Sequence, residues 1–455
     1  MAGSRDQDPE SSRLTRRVQR YAKVGTNIGS LAARAAGKRL LGGDVLSDQT
    51  ARELKLVLGG LKGPLMKIAQ MMATIPDLLP PEFAEELSQL QSNAPAMGWP
   101  FVKRRMAAEL GKDWAGRFAS FEREASAAAS LGQVHRAISH DGRRLACKLQ
   151  YPDMQSAVEA DLSQLNMIFA LHRRLDSAID TAEMAQEIAA RLREELDYER
   201  EAAHTRLYGQ IFEGDDRVHV PAVVDELSTR RLLTLEWLDG NRLLDYRDQP
   251  LDVRNEIAQA MFRAWWYPFS HYGVIHGDPH LGNYSVRESH GINLLDYGCI
   301  RIFPASFVGG VVALYRALQS DNRAQAVDAY EQWGFRGLSN ELIDTLNMWA
   351  RFIYAPMLDN RVRTIADGIK PAEYGRQEAF AVHQALRKYG PVRPPREFVF
   401  MDRAAIGLGG VFLHLGAELN FHDLFNAAIA DFETDAVADR QAAALAAARV
   451  PPAAA

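Results

Sequence analysis

The chain has only two cysteines in 455 residues, Cys147 and Cys299. Two thiols build neither a disulfide framework nor a cysteine-rich zinc site, and a reducing compartment fits such usage. No uninterrupted apolar run reaches the roughly 18 residues of a membrane span. The best stretch, AAIGLGGVFLHLGA from Ala404 to Ala417, is too short and carries His414, so it reads as a buried helix. The first residues have no apolar core of a secretory signal, and Asp6, Asp8 and Glu10 argue against an organelle transit peptide. A net charge of −5 gives no general basic surface, so nucleic acid is not an expected partner. No internal repeat is visible. What remains, 47% hydrophobic and 24% charged residues, is the composition of a globular protein.

Acids are also missing from one place. Between Ser11 and Leu40 there are eight basic residues, from Arg13 to Arg39, and no Asp or Glu. A basic arm over residues 1–50 is either a solvated extension or a peripheral contact with an anionic lipid surface. Residues 51–115 read as helical. The tandem Pro80-Pro81 followed by Glu82, Glu85 and Glu86 is a helix start, with proline near the first position and acids in the first turn. Residues 116–240 carry the strand signals, RRLACKLQYP and RLLTLEWLDG, with a long helical pattern from Asp161 to Gln210 between them. Residues 241–435 are mostly helical, interrupted by a strand pair, NYSV and INLLDYG, around the turn ESHG. The Ala-rich end, 436–455, reads as disordered. This order predicts an α+β protein of two lobes with a helical N-terminal extension.

The chemistry is concentrated in HGDPHLGN, from His276 to Asn283. Gly, Pro, Asp and Asn make turns, and a solvated turn is the plain reading. Yet Asn283 lies five residues after Asp278, and Asp296 of LLDYG lies 13 residues further on, beyond the strand pair. Phosphoryl transfer needs a divalent cation held by hard oxygens, here the Asn283 amide and the Asp296 carboxylate. It also needs a carboxylate near the attacking group, here Asp278. Such a site needs a lysine on a strand, and Lys148 sits in the apolar run LACKLQ; an edge-strand lysine facing water is the alternative. Cys147 beside it reads as a small buried hydrophobe. On EELDYEREA, Glu194, Asp197 and Glu201 are spaced to share one helix face, a repulsion that facing cations would relieve. A Gly-rich phosphate loop is absent. In its place stands ASAAASLGQVHRA, Ala125 to Ala137, with Gly132 its only glycine, and an Ala-rich helix is the competing reading.

The set AAASLGQVHRA, ACKLQYP, ELDYEREA, GDPHLGN and LLDYG, preceded by LKGPLMKIAQ and PDLLPPEFAEELSQLQ, resembles the UbiB-type atypical kinases, the ubiquinone-biosynthesis kinase-like proteins. The resemblance covers roughly residues 50 to 430. It implies a protein-kinase-like fold with the helical extension over the active site, and ATP and Mg2+ as cofactors. Lys148 then corresponds to the nucleotide-phosphate lysine and Glu201 to its ion-pair partner. Asp278 corresponds to the catalytic aspartate, and Asn283 and Asp296 to the metal ligands. Ala127, Ala128, Ala129 and Ser130 correspond to the loop over the phosphates, and Glu236 and Leu238 to further cofactor-binding positions. Lys67 and Gln70 of KIAQ correspond to the extension motif, whose lysine approaches Glu195 and Asp197. That arrangement favours ATP hydrolysis or a lipid-like or quinone-precursor ligand over a protein substrate, at the membrane's inner face or in the cytoplasm. A homodimer is left open. Ala69 replaces the glycine usual in KIAQ, Leu281 replaces a proline, and Tyr297 replaces a phenylalanine. Two other functions fit parts of the pattern. One is a small-molecule phosphotransferase like aminoglycoside and choline kinases, which lack the KIAQ helix. The other is a non-catalytic nucleotide-binding scaffold of a membrane biosynthetic complex.

Overall fold

The structure, a computed structural model, describes residues 97–128, 131–160, 162–163, 189–190, 192–366 and 396–452, with isolated helical positions between 378 and 388. The basic arm, most of the expected extension, Lys67, Gln70, Ala129 and Ser130 lie outside the described residues. In chain order the elements are α1 Trp99–Leu110, β1 Ser120–Phe121, β2 Ala127–Ala128, β3 Gly132–Ile138, β4 Arg144–Gln150, α2 Tyr198–Ile211, β5 Val218–His219 and β6 Leu232–Glu236. Then follow α3 Leu251–Tyr272, β7 Val274–His276, β8 Tyr284–Val286, β9 Ile292–Leu294, β10 Ile300–Ile302, α4 Ala305–Gln319, α5 Arg323–Gln332, α6 Asn340–Leu358, α7 Arg396–Leu415, α8 Phe421–Ala428 and α9 Thr434–Ala448. They form two compact units, Met1–Glu199 with Val224–Glu236, and Arg200–Val223 with Trp237–Ala455.

The first unit holds an antiparallel sheet in the order β1-β3-β4-β6, with β2 also paired to β3. Strand β4 is central, not an edge. Its alternation puts Leu145, Cys147 and Leu149 into the core and leaves Ala146 and Lys148 half-buried on the other face. Helix α1 starts with Pro100 in its first turn and buries Val102, Met106 and Leu110, spaced by four, against that core. Trp114, Phe118 and Phe121 close it edge to face. Arg105 on α1 is buried yet satisfied. Its Nε donates to the Gln150 carbonyl at 3.2 Å, its Nη2 to that of Tyr151 at 3.3 Å, and its Nη1 to Glu109 at 3.2 Å. Cutting that side chain back would leave buried carbonyls unpaired.

The second unit is built around α3, whose Ile257, Met261, Trp265 and Phe269 are fully buried. The helix stops at Gly273, which adopts a left-handed φ of 63°. The strands come in two sets: β7 antiparallel to β10, and β8–β9 as the expected hairpin, with β5 added parallel to β9. Helix α7 confirms AAIGLGGVFLHLGA as buried, with Ala404, Leu408, Val411, Phe412 and Leu415 in the core. Among the described residues no helix is long and apolar enough to cross a membrane.

Three expectations are corrected. Residues 116–240 do not form one contiguous lobe, because 200–223 belong to the second unit, where Leu207, Tyr208, Ile211 and Phe212 bury themselves. The long helical pattern breaks before α2. Leu196's carbonyl is taken by Gln150 Nε2 at 3.1 Å and Tyr198's amide binds the Arg230 carbonyl at 3.3 Å, so the helix is interrupted over 195–197, between Glu194 and Glu201, and Glu194, Asp197 and Glu201 do not share one helix face. The Ala-rich end is not disordered but largely helix α9, which buries Val437, Gln441, Leu445 and Ala448. Alanine is the strongest helix former, and an apolar stripe gives the helix a surface to dock on.

Candidate functional site: two strand pairs and a central-strand lysine

In the first unit, Lys148 on β4 has its Nζ 5.3 Å from the centroid of the Tyr198 ring. That is cation–π range. Tyr198 itself is buried, and its hydroxyl crowds Gly132 at the start of β3. A Cβ at residue 132 would collide with the Leu149 carbonyl and approach the Tyr198 hydroxyl to 2.9 Å. Glycine at 132 therefore reflects close approach. Ala127 and Ala128 are not helical: as β2 they pair with Val134 and Gln133 of β3. They form the start of a hairpin at the place of the expected phosphate loop. Behind it, Gln133 Nε2 donates to His135 Nε2 at 2.7 Å, and the Gln133 side-chain oxygen accepts from the Met97 amide at 2.6 Å. His135 Nδ1 must then donate to the Glu122 carbonyl, 2.9 Å away. The ring is fully buried, and burial pulls its pKa below the ordinary histidine value. Cys147 is inert: burial pushes its thiol up to about 12. Glu236, at the end of β6, pairs with Leu145 and is exposed.

In the second unit, β7 delivers His276, Gly277 and Asp278, and β9 delivers Asp296. His276 ties the two loops together. Its Nε2 donates to the Asp296 carbonyl at 2.6 Å, and its Nδ1 accepts from the Asp278 amide at 3.3 Å. A carbonyl only accepts and an amide N–H only donates, so this ring is neutral with its proton on Nε2. Burial lowers its pKa, in agreement. Its own carbonyl is held by Trp265 Nε1 at 2.9 Å. A 3₁₀ turn over Leu281–Asn283 follows, and the His280 ring at its start accepts from the Gly282 amide at 3.1 Å. Asn283 Nδ2 donates to the Asp278 carbonyl at 3.0 Å, and the Asn283 carbonyl accepts from the Leu295 amide at 2.8 Å. Asp296 Oδ1 accepts from the Gly298 amide at 3.0 Å. Asp278, Asn283 and Asp296 are thus brought into one hydrogen-bonded assembly.

Glu201 on α2 is buried, and with Asp296 it adds to the forces that raise the Tyr297 phenol, burial being the largest and Tyr208 the next. Tyr297 donates to the Leu294 carbonyl at 3.1 Å. Lys148 and Glu201 belong to different units. Leu238 is half-buried, and the neighbouring Asp239 carbonyl accepts from Asn293 Nδ2 at 2.8 Å. Tyr198 and His276 were not assigned roles from the sequence. The signal for His276 was its place inside HGD. For Tyr198 it was an aromatic one helical turn before Glu201.

The first unit thus carries a lysine on a middle strand of its antiparallel sheet, and the second an Asp, an Asn and an Asp on short strand pairs and their loops, each a feature of a kinase-like protein. The chain belongs to the ABC1 atypical kinase-like family, whose domain profile matches residues 89–330. It is 27% identical over 380 residues to AarF domain-containing protein kinase 1 of Xenopus tropicalis, covering 80% of this chain and 70% of that one. It is 28% identical over 344 residues to the mitochondrial atypical kinase COQ8B of Rattus norvegicus, covering 73% and 65%, and 27% identical over 310 residues to the mitochondrial atypical kinase COQ8 of Saccharomyces cerevisiae, covering 66% and 62%. Among solved structures it is similar to one described as the Rv3197–erythromycin complex from Mycobacterium tuberculosis, with 26% identity, a TM-score of 0.59, and coverage of 84% of this chain and 96% of that one.

Proposed function

We propose that the protein binds ATP with Mg2+ and transfers the terminal phosphoryl group to water or to a small lipid-like acceptor, such as a quinone precursor, in support of isoprenoid-quinone or related lipid metabolism. The observation that carries this reading is the assembly of Asp278, Asn283 and Asp296 around the neutral His276. The donor set fits a small hard cation. The Asn283 amide nitrogen is engaged by the Asp278 carbonyl, which turns its oxygen the other way, and the Asp296 carboxylate is fixed through one oxygen. One carboxylate and one amide suit an ion whose other ligands are phosphate and water oxygens. The ion would offset charge on the phosphates. Lys148 would neutralise a phosphate, with Tyr198 holding its ammonium. Asp278 would orient the attacking oxygen and accept its proton.

The relatives named atypical kinases support the phosphotransfer class, and the macrolide named in the structural relative's description supports a small non-peptide ligand over a protein substrate. The basic arm supports peripheral attachment to anionic lipid. The test is Mg2+-dependent ATP turnover with and without Asp296→Asn. The substitution is expected to lower kcat by about a hundredfold or more, as for loss of one transition-state charge contact. Equal turnover in the two proteins rejects the metal role.

A further inference from the structure

Helix α9 docks on the root of the strand pair that carries the site. Gln441, largely buried, donates from its single side-chain nitrogen to two carbonyls, those of Tyr272 at 2.7 Å and Phe303 at 2.8 Å. Tyr272 is the last residue of α3 before β7, and Phe303 is the first after β10. Between them sits Gly273, where a Cβ would come within 2.5 Å of the Gln441 amide and 2.7 Å of the Phe303 oxygen. From this knot an unbroken ladder runs toward the chemistry. Phe303 N–H binds the Gly273 carbonyl at 2.7 Å, and Val274, Ile275 and His276 pair with Ile302, Arg301 and Ile300. Gly277 N–H then binds the Cys299 carbonyl at 2.7 Å. Gly277 precedes Asp278, and Cys299 lies three residues after Asp296. The last rung is His276, which holds both the Asp278 amide and the Asp296 carbonyl.

We propose that Gln441 is a positioning residue for the reaction: by fastening both strands at their far end, it sets the register and spacing of the ladder on which Asp278 and Asp296 are mounted. This rests on the phosphotransfer reading above for its consequence, but not for its physical content. Without Gln441 the buried Phe303 carbonyl and the half-buried Tyr272 carbonyl, which flank the far end of the two strands, lose the donor that this side chain gives them. A side-chain amide is one of the few groups that offers two N–H bonds from one atom. A short two-stranded ladder has little stiffness of its own, since an isolated pair is marginal. Loss of the fastening is expected to spread along it, and a shift of about 1 Å in a catalytic group costs on the order of a hundredfold in rate.

The experiment compares Gln441→Met with Arg440→Met. Arg440 lies on the same helix and donates to the His271 carbonyl at 3.0 Å, outside the ladder. Both variants are expected to lower thermal stability. Only Gln441→Met is expected to speed hydrogen exchange at the Gly277 and Phe303 amides. It is also expected to lower kcat for ATP turnover by ten- to a hundredfold, measured well below the melting temperature, with little change in the KM for nucleotide. Gln441→Asn, which keeps the amide but withdraws it by one methylene, takes an intermediate place and serves if the methionine variant does not fold. Unchanged exchange at Gly277 in folded Gln441 variants overturns the proposal, as does faster exchange with unchanged kcat. Absence of turnover in the unaltered protein instead overturns the phosphotransfer reading, and leaves the exchange comparison to decide whether the ladder is fastened by Gln441.

Discussion

Acidification should weaken the first unit through one ring. His135 is fully buried, donates through Nδ1 to the Glu122 carbonyl and accepts through Nε2 from Gln133. A second proton would have to sit on Nε2, facing the Gln133 amide group, so the folded state resists it. The folded pKa is accordingly below the unfolded value of about 6.5. A depressed folded pKa means that this ring's contribution is fully present above about pH 6.5. It is lost as the pH falls toward the folded value, because the unfolded chain then binds the extra proton. Between about pH 7.5 and 5.5 the loss from one such group is at most about 1.4 kcal/mol, the limit set by the unfolded pKa for a folded ring that takes up no proton. The assay is urea unfolding at both pH values for the parent protein and His135→Phe. Phenylalanine keeps an aromatic ring against Phe121, whose centroid lies 5.3 Å from that of His135, but cannot titrate. The variant is expected to be less stable at the higher pH, since Glu122 and Gln133 lose a partner. Its stability should fall less than the parent's on acidification, by up to about 1.4 kcal/mol. Equal pH-dependent losses in the two proteins would refute the assignment of a neutral, hydrogen-bonded ring.

Two further outcomes follow from the geometry around the lysine and the hairpin. Tyr198→Leu should weaken ATP binding roughly two- to thirtyfold, as expected for losing about 0.5–2 kcal/mol of cation–π attraction at Lys148, whereas Tyr198→Phe should retain affinity; equal affinities in a fluorescent-nucleotide titration would dismiss the contact. Gly240→Ala would place a Cβ 2.9 Å from Asn293 Nδ2 and against Ser285, and should cost about 1–3 kcal/mol, seen as a drop of about 2–10 °C in Tm; an unchanged Tm would mean the hairpin yields there freely.

The α+β fold class and the convergence of Asp278 and Asn283 were legible in the sequence; the helix breaks and docking contacts around them were not. Asp278, Asn283 and Asp296 are read from spacing alone because a turn and a hairpin fix their separation through local hydrogen bonds. Lys148 is legible because a cation amid Leu145, Cys147 and Leu149 must leave the core face, and the strand alternation takes it there. What escaped depends on distant partners. Nothing in EELDYEREA announces that Gln150 and Arg230 will capture two of its backbone groups and break the helix. Likewise, a composition rich in alanine looks the same in a frayed tail and in a docked helix. Only Gln441, Leu445 and Val437 on one stripe distinguish them, and the carbonyls that Gln441 binds lie more than a hundred residues earlier. The division at Glu199 is hidden for the same reason: the side chains that draw 200–223 into the second core look no different from their neighbours.

The Pro279 ring presses directly on Gly407 of α7, leaving no room for even a methyl group at 407. The backbone there is ordinary helix, so glycine is kept by crowding and not by torsion. A larger residue at 407 is therefore tolerated only together with a smaller one at 279. A bulkier helix residue becomes tolerable once the pyrrolidine gives way to something smaller, so in this chain the loop and the helix behind it set each other's shape.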